Sequence, residues 1–153
     1  MITAWRLVHP MYVDDAFSGE GPRRRGGRWN LSGVRIVYTA SSVSLSTLEL
    51  IVHNQRATRL PGYLLFSCGF SEAIVEFVDR KRLPPNWRDY PAPPELQQIG
   101  MRWLRTGDSA VLRVPSAVIE EEHNYLLNPE HEDFRSIDVG LARPFKLDPR
   151  LLT

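Results

Sequence analysis

The chain has 153 residues, 42% hydrophobic and 24% charged, which suits one globular domain, leaves little room for a second, and argues against disorder. Lys and Arg number 19 against 18 Asp and Glu; a dedicated nucleic-acid binder is usually more basic, so direct nucleic-acid contact is not expected. A single cysteine, Cys68, excludes an internal disulfide, and no Cys/His zinc pattern accompanies it.

Ala4–Val8 is a short apolar run ended by His9-Pro10 and reads as a first strand. Residues 14–27 are rich in Gly and Arg and read as a loop. Arg28-Trp29-Asn30 then leads through a Leu31-Ser32-Gly33 turn into Val34–Ala40, which is β-branched and aromatic. Together these predict a hairpin with Arg28 on its first arm and Tyr38 on its second. Ser41-Ser42 offers N-cap oxygens, and Leu45, Leu48 and Val52 recur at helical spacing, so a helix is expected over Val43–Asn54.

Tyr63–Phe70 and Ile74–Val78 read as strands, with Cys68 a small core residue of the first. Leu83–Pro94 is a proline-punctuated loop anchored by Trp87. Glu95–Arg105 reads as a helix weakened by Gly100. Ala110–Val114 is a further strand, His123–Pro129 a polar and aromatic loop, His131–Ile137 a short helix and Pro144–Leu147 a last strand. Hairpins and helices mix without regular alternation, which predicts an α+β domain over residues 1–153 rather than a doubly wound parallel sheet. The N-terminus has no signal-peptide pattern and no run reaches membrane-spanning length, so a cytoplasmic chain without a membrane partner is expected.

Chemistry-bearing residues concentrate between Arg25 and His53. An arginine fork pairs with phosphate oxygens at two points, a tyrosine stacks on a flat heterocycle, and a carboxylate stabilises positive charge developing on a ribose. Glu49 lies about 40° around the helix from Leu45, at the edge of the apolar stripe, where a carboxylate can be partly buried. The same residues also suit ordinary structure: a solvated Arg loop, a core Tyr, a solvated Glu. Ser116 follows Pro115 at a strand end, as either a phosphate or ribose donor or a turn serine. No G-x-S-x-G elbow surrounds it. The Arg23-Arg24-Arg25 run steers an anion, meets an acidic partner, or is simply solvated.

The run GGRWNLSGVRIVYTASSVSLSTLELIVHN resembles the opening motif of the RES domain family, named for an Arg, a Glu and a Ser. VLRVPSAVIEEEHNYLLNPEH resembles its second motif and FKLDPRL its closing strand, and LPPNW and IGMRWL also fit, so the resemblance covers nearly the whole chain. It implies an ADP-ribosyltransferase-like fold with a mixed sheet and short helices. It implies a toxin that attacks the nicotinamide–ribose bond of NAD⁺ by hydrolysis or phosphorolysis, or one that transfers ADP-ribose to a protein. The expected partner is an Xre-type antitoxin that supplies the DNA-binding part, and homo-oligomerisation within that complex is left open.

Carried onto this chain, the motif residues are Arg28, Tyr38, Glu49 and Ser116, expected as catalytic groups. Asn30, His53 and Asn124 are expected at the substrate, although Asn124 also suits a turn and His53 a packed helix face. NAD⁺ is expected as substrate, with inorganic phosphate as a candidate co-substrate and no metal or resident cofactor. A nucleic-acid-binding or RNA-cleaving toxin built on the arginines and histidines is the competing class, and a pure interaction module the blandest one.

Overall fold

The computed structural model describes residues 1–54 and 62–152. Alternating apolar runs become the strands β1 (Ile2–Val8), β2 (Val37–Ala40), β3 (Tyr63–Phe70), β4 (Val75–Phe77), β5 (Val111–Pro115), β6 (His123–Leu127), β7 (Asp138–Val139) and β8 (Arg143–Phe145). They form one sheet in the order β4-β5-β6-β2-β1-β3-β7, with β8 also paired to β3. β4–β5 is the parallel pair; the other ladders are antiparallel.

Cross-strand partners share a face of the sheet. Ala4 with Cys68 and Val37 with Leu127 therefore look the same way, into a core that also holds Phe70, Val111 and Tyr125. Burial pushes the Cys68 thiol up to about 12, as expected for an inert core cysteine. Leu112, Val114 and Leu126 face the other side, where they pack with Trp29, Ile36, Leu96 and Trp103. Leu96 and Trp103 come from the helix α3 (Pro94–Thr106), which has proline in its first turn and ends at left-handed Gly107 (φ 65°). Gly100, read from sequence as a weakness, faces the Trp29 backbone so closely that a Cβ there would lie 1.8 Å from the Trp29 carbonyl oxygen.

The sheet splits where β1 meets β2, whose ladder is the single pair Trp5↔Ala40. Arg6 spans that gap: Nε donates to the Ala16 carbonyl (2.6 Å) and Nη1 to the Tyr38 carbonyl (2.9 Å). Above it lies the helix α2 (Val43–His53), capped by Ser42 Oγ accepting from the Leu45 amide.

Three sequence expectations change. The supposed loop over 14–27 contains the helix α1 (Glu20–Arg25). Glu20 sits in its first turn and pairs with Arg23 and Arg24, while the arginines sit in the last turn, where the helix dipole favours cations. The supposed loop His123–Pro129 begins with β6, an interior strand between β5 and β2. Its polar start concealed it, yet Tyr125, Leu126 and Leu127 are all buried because both faces of the sheet are covered there. Finally, Arg28 and Tyr38 are not on paired strands. β2 pairs with β1 and β6, and residues 27–30 form a tight turn closed by the isolated bridge Gly27↔Asn30.

Candidate active site

Glu49 projects from α2 toward the end of β5 and the start of β6 and is the focus of the site. Its Oε1 accepts from Asn124 Nδ2 (2.8 Å) and its Oε2 from Ser116 Oγ (3.3 Å). Two opposed forces act on the carboxyl. Burial raises its pKa from 4.5, the two hydrogen bonds and the Arg28 charge lower it, Glu122 raises it further, and the net direction is up. Asn124 also donates to the Thr39 carbonyl (3.1 Å), which fixes its amide against β2.

Ser116, expected to touch a ligand, is fully buried at 0% exposure. Its hydroxyl donates to Glu49 while accepting from the Val118 amide (3.1 Å) and the Ile119 amide (3.3 Å). These bonds tie Glu49 to the turn after β5.

Among the described residues, the Arg28 guanidinium hydrogen-bonds only to backbone carbonyls. Nη1 donates to the Trp87 carbonyl (2.9 Å) and Nη2 to the Asp89 carbonyl (3.2 Å), both in the proline-rich loop before α3. Burial lowers its pKa, against the raising influence of Tyr38, Tyr90, Asp89 and Glu49. The turn that carries Arg28 is braced by α3, where Gln97 Nε2 donates to the carbonyls of Gly27 (3.0 Å) and Asn30 (3.2 Å). His53 is exposed at the end of α2, with its pKa lowered by the packing around the ring and then by the Arg28 charge.

Tyr38 and Asn30 do not present free polar groups. The Tyr38 hydroxyl donates to Asn30 Oδ1 (2.6 Å) and accepts from the Trp29 amide (3.1 Å). Asn30 is 0% exposed, and its Nδ2 reaches the carbonyls of Pro22, Leu31 and Val34. Asn30, expected at the substrate, is therefore enclosed, and the pair forms a strut beneath the Arg28 turn. A Cβ at Gly27 would lie 2.7 Å from the Tyr38 oxygen, so glycine is needed for that close approach.

Sequence reasoning missed the anchors of Arg28, because they are carbonyls that any residue supplies. It also missed Glu122. Glu122 immediately precedes β6, two residues before Asn124, and its charge acts on Glu49.

The structure thus brings Arg28, Glu49, His53 and Asn124 to one region between α2, β6 and the loop before α3, with Ser116, Tyr38 and Asn30 as supports. This is an α+β domain with a carboxylate and an arginine, each oriented by a partly buried shell. The chain belongs to the RES domain family, whose pattern matches residues 3–148. It is 38% identical to a protein of Yersinia enterocolitica named Toxin Res, over 96% of this chain and 97% of the relative. A Sphingobium protein named Prs ADP-ribosylating toxin is 37% identical over 97% of this chain and 95% of its own. Among solved structures, a chain in the M. tuberculosis MbcT–MbcA toxin–antitoxin complex superposes with a TM-score of 0.79. It covers 99% of this chain and 86% of its own at 20% identity, a likeness of fold.

Proposed function

We propose that this protein is the toxin of a toxin–antitoxin pair and cleaves the nicotinamide–ribose bond of NAD⁺. Family membership and the names of the relatives support the coarse reading. The observation that carries the chemistry is Glu49, a partly buried carboxylate held at both oxygens beside Arg28. As nicotinamide leaves, C1′ of the ribose gains positive charge. A carboxylate already oriented at that point stabilises the transition state more than the ground state. Arg28, oriented by two carbonyls, offers its remaining N–H groups to the dinucleotide's phosphate or ribose oxygens. Asn124 and Ser116 hold Glu49 in place, and His53 lies beside Arg28 at the rim.

The acceptor of ADP-ribose is water or inorganic phosphate in this reading, with NAD⁺ consumed as a substrate. The name of the Sphingobium relative favours a second one, transfer to a protein. The partner is an antitoxin, in line with the complex that contains the structural neighbour. The protein acts where NAD⁺ is abundant, in the cytoplasm; among the described residues no helix is long and apolar enough to cross a membrane. The test incubates purified protein with NAD⁺, with and without phosphate, and identifies products by mass spectrometry. Nicotinamide with ADP-ribose or its 1″-phosphate supports the reading. Intact NAD⁺ in the absence of any acceptor protein, together with ADP-ribosylated protein when a cell lysate is added, favours transfer. Intact NAD⁺ throughout refutes both.

A further inference from the structure

Glu122 lies within the second motif run, but the resemblance assigns it no role. It immediately precedes β6, two residues before Asn124, which donates to Glu49. Its backbone is fixed from two sides: its carbonyl accepts from the Ser116 amide (3.0 Å) and its amide donates to the Ile119 carbonyl (3.0 Å). Its Oε1 accepts from Ser42 Oγ (3.1 Å), the residue that caps α2. Its Oε2 has no hydrogen-bond partner among the described residues, and the side chain is partly exposed. Both oxygens of Glu49, by contrast, are already engaged. The two carboxylates are close enough for the charge of Glu122 to act on Glu49.

We infer that Glu122 is the general base of this site, taking the proton from a neutral hydroxyl nucleophile while Glu49 stabilises the ribose. The inference rests on the proposed attack on NAD⁺. The oxygen lone pair of water forms the new bond to C1′. The C1′–N bond breaks, and its electron pair passes to the pyridinium nitrogen, which leaves as neutral nicotinamide. The water proton moves to Glu122 Oε2 and from there to solvent. A base near the reacting hydroxyl supplies typically 10²–10⁴-fold. An anionic nucleophile needs no deprotonation, so its attack does not depend on this carboxylate.

That difference is the test. Wild type, Glu122→Gln and Glu49→Gln are compared for hydrolysis of NAD⁺ and for formation of ADP-ribosyl azide from added sodium azide. Melting temperature and NAD⁺ affinity are measured in parallel. Glutamine keeps an oxygen for Ser42, so the cap of α2 survives. The expected result is that Glu122→Gln loses about 100-fold or more in hydrolysis but forms the azide adduct within about threefold of wild type, whereas Glu49→Gln loses both. Unchanged hydrolysis in Glu122→Gln overturns the inference. So does an equal loss of hydrolysis and azide transfer, which marks a positioning residue. If wild type leaves NAD⁺ intact under every condition, the parent reading fails and this one with it, a result distinct from either outcome in the variant.

Discussion

Glu49 and Arg28 are held in opposite ways. Glu49 is gripped by side chains, Asn124 of β6 and Ser116 just after β5. Arg28 is gripped by main-chain carbonyls of Trp87 and Asp89, and its turn by the packing of α3 against Trp29. The carboxylate side is therefore sensitive to the identity of polar residues, whereas the arginine side is sensitive to shape. A substitution that changes no charge can disable the second, and only a change of polar groups next to Glu49 should disable the first.

The largest effects should come from the two central groups. Glu49→Ala and Arg28→Ala are expected to lower the rate of NAD⁺ loss by about 10²–10³-fold or more, the usual cost of removing one oriented electrostatic group. Each variant should keep its fold, read by circular dichroism. Turnover at the wild-type rate in either would remove that residue from the mechanism.

Gly100→Ala tests the shape-dependent side. The added methyl cannot coexist with the Trp29 carbonyl at 1.8 Å, so the turn bearing Arg28 must shift. Overpacking of this kind costs about 1–3 kcal/mol, and kcat/KM should fall by more than the stability loss explains, although no polar group has changed. A fully folded variant at 20 °C with wild-type kcat/KM would show that the position of Arg28 does not depend on α3.

Ser116→Ala and Asn124→Ala probe the other side. Removing the Ser116 hydroxyl strips a donor from Glu49 and an acceptor from two amides, a change worth about 1–3 kcal/mol in a buried setting. Asn124→Ala removes the shorter bond to Glu49 and the tie to β2. A double-mutant cycle on kcat/KM should show strong non-additivity, since both act through one carboxylate. Strict additivity would mean that one of them contacts the substrate itself.

The contrast also explains what the sequence discloses. The α2 boundaries were legible from the Ser42 cap and the Leu45–Leu48–Val52 spacing, and β3 from the apolar run Tyr63–Phe70. Glu49 was legible as a polar residue at the edge of the apolar stripe of α2, and its expected role, like that of Asn124, came from the family resemblance; Asn124 by itself suited a turn. α1 was hidden because six residues between two glycines carry too little periodicity, and its support comes from the Glu20 ion pairs. β6 was hidden because its first two residues, His123 and Asn124, are polar and only half-buried. The anchors of Arg28 lie about sixty residues away and are carbonyls, which side-chain pattern does not encode. Tyr38 was legible as important, but its hydroxyl serves the strut to Asn30 and Trp29. Tyr38→Phe should accordingly lower stability by about 0.5–1.5 kcal/mol, measured by urea unfolding, and unchanged stability would dismiss the strut.

The smallest effect concerns stability against pH. Burial raises the Glu49 pKa in the folded protein above its ordinary 4.5. Between the unfolded and folded values the native state binds the proton more tightly, so this group's contribution is fully present below the unfolded pKa. It is lost as pH rises through the folded pKa. Above its folded pKa the wild-type carboxylate is ionised and folding partly desolvates it, whereas Glu49→Gln carries no charge. Glutamine keeps an acceptor for Asn124 or Ser116 but cannot satisfy both as the carboxylate does, which limits the gain. The variant should therefore melt at a higher temperature than wild type at pH 8, with the difference narrowing as pH falls toward 4. It should gain this stability while losing activity, the trade expected where a site keeps a charge that folding disfavours. A difference independent of pH would mean that the hydrogen bonds of Asn124 and Ser116, not the charge of Glu49, set the stability of this corner. The raised pKa would then have no consequence for folding.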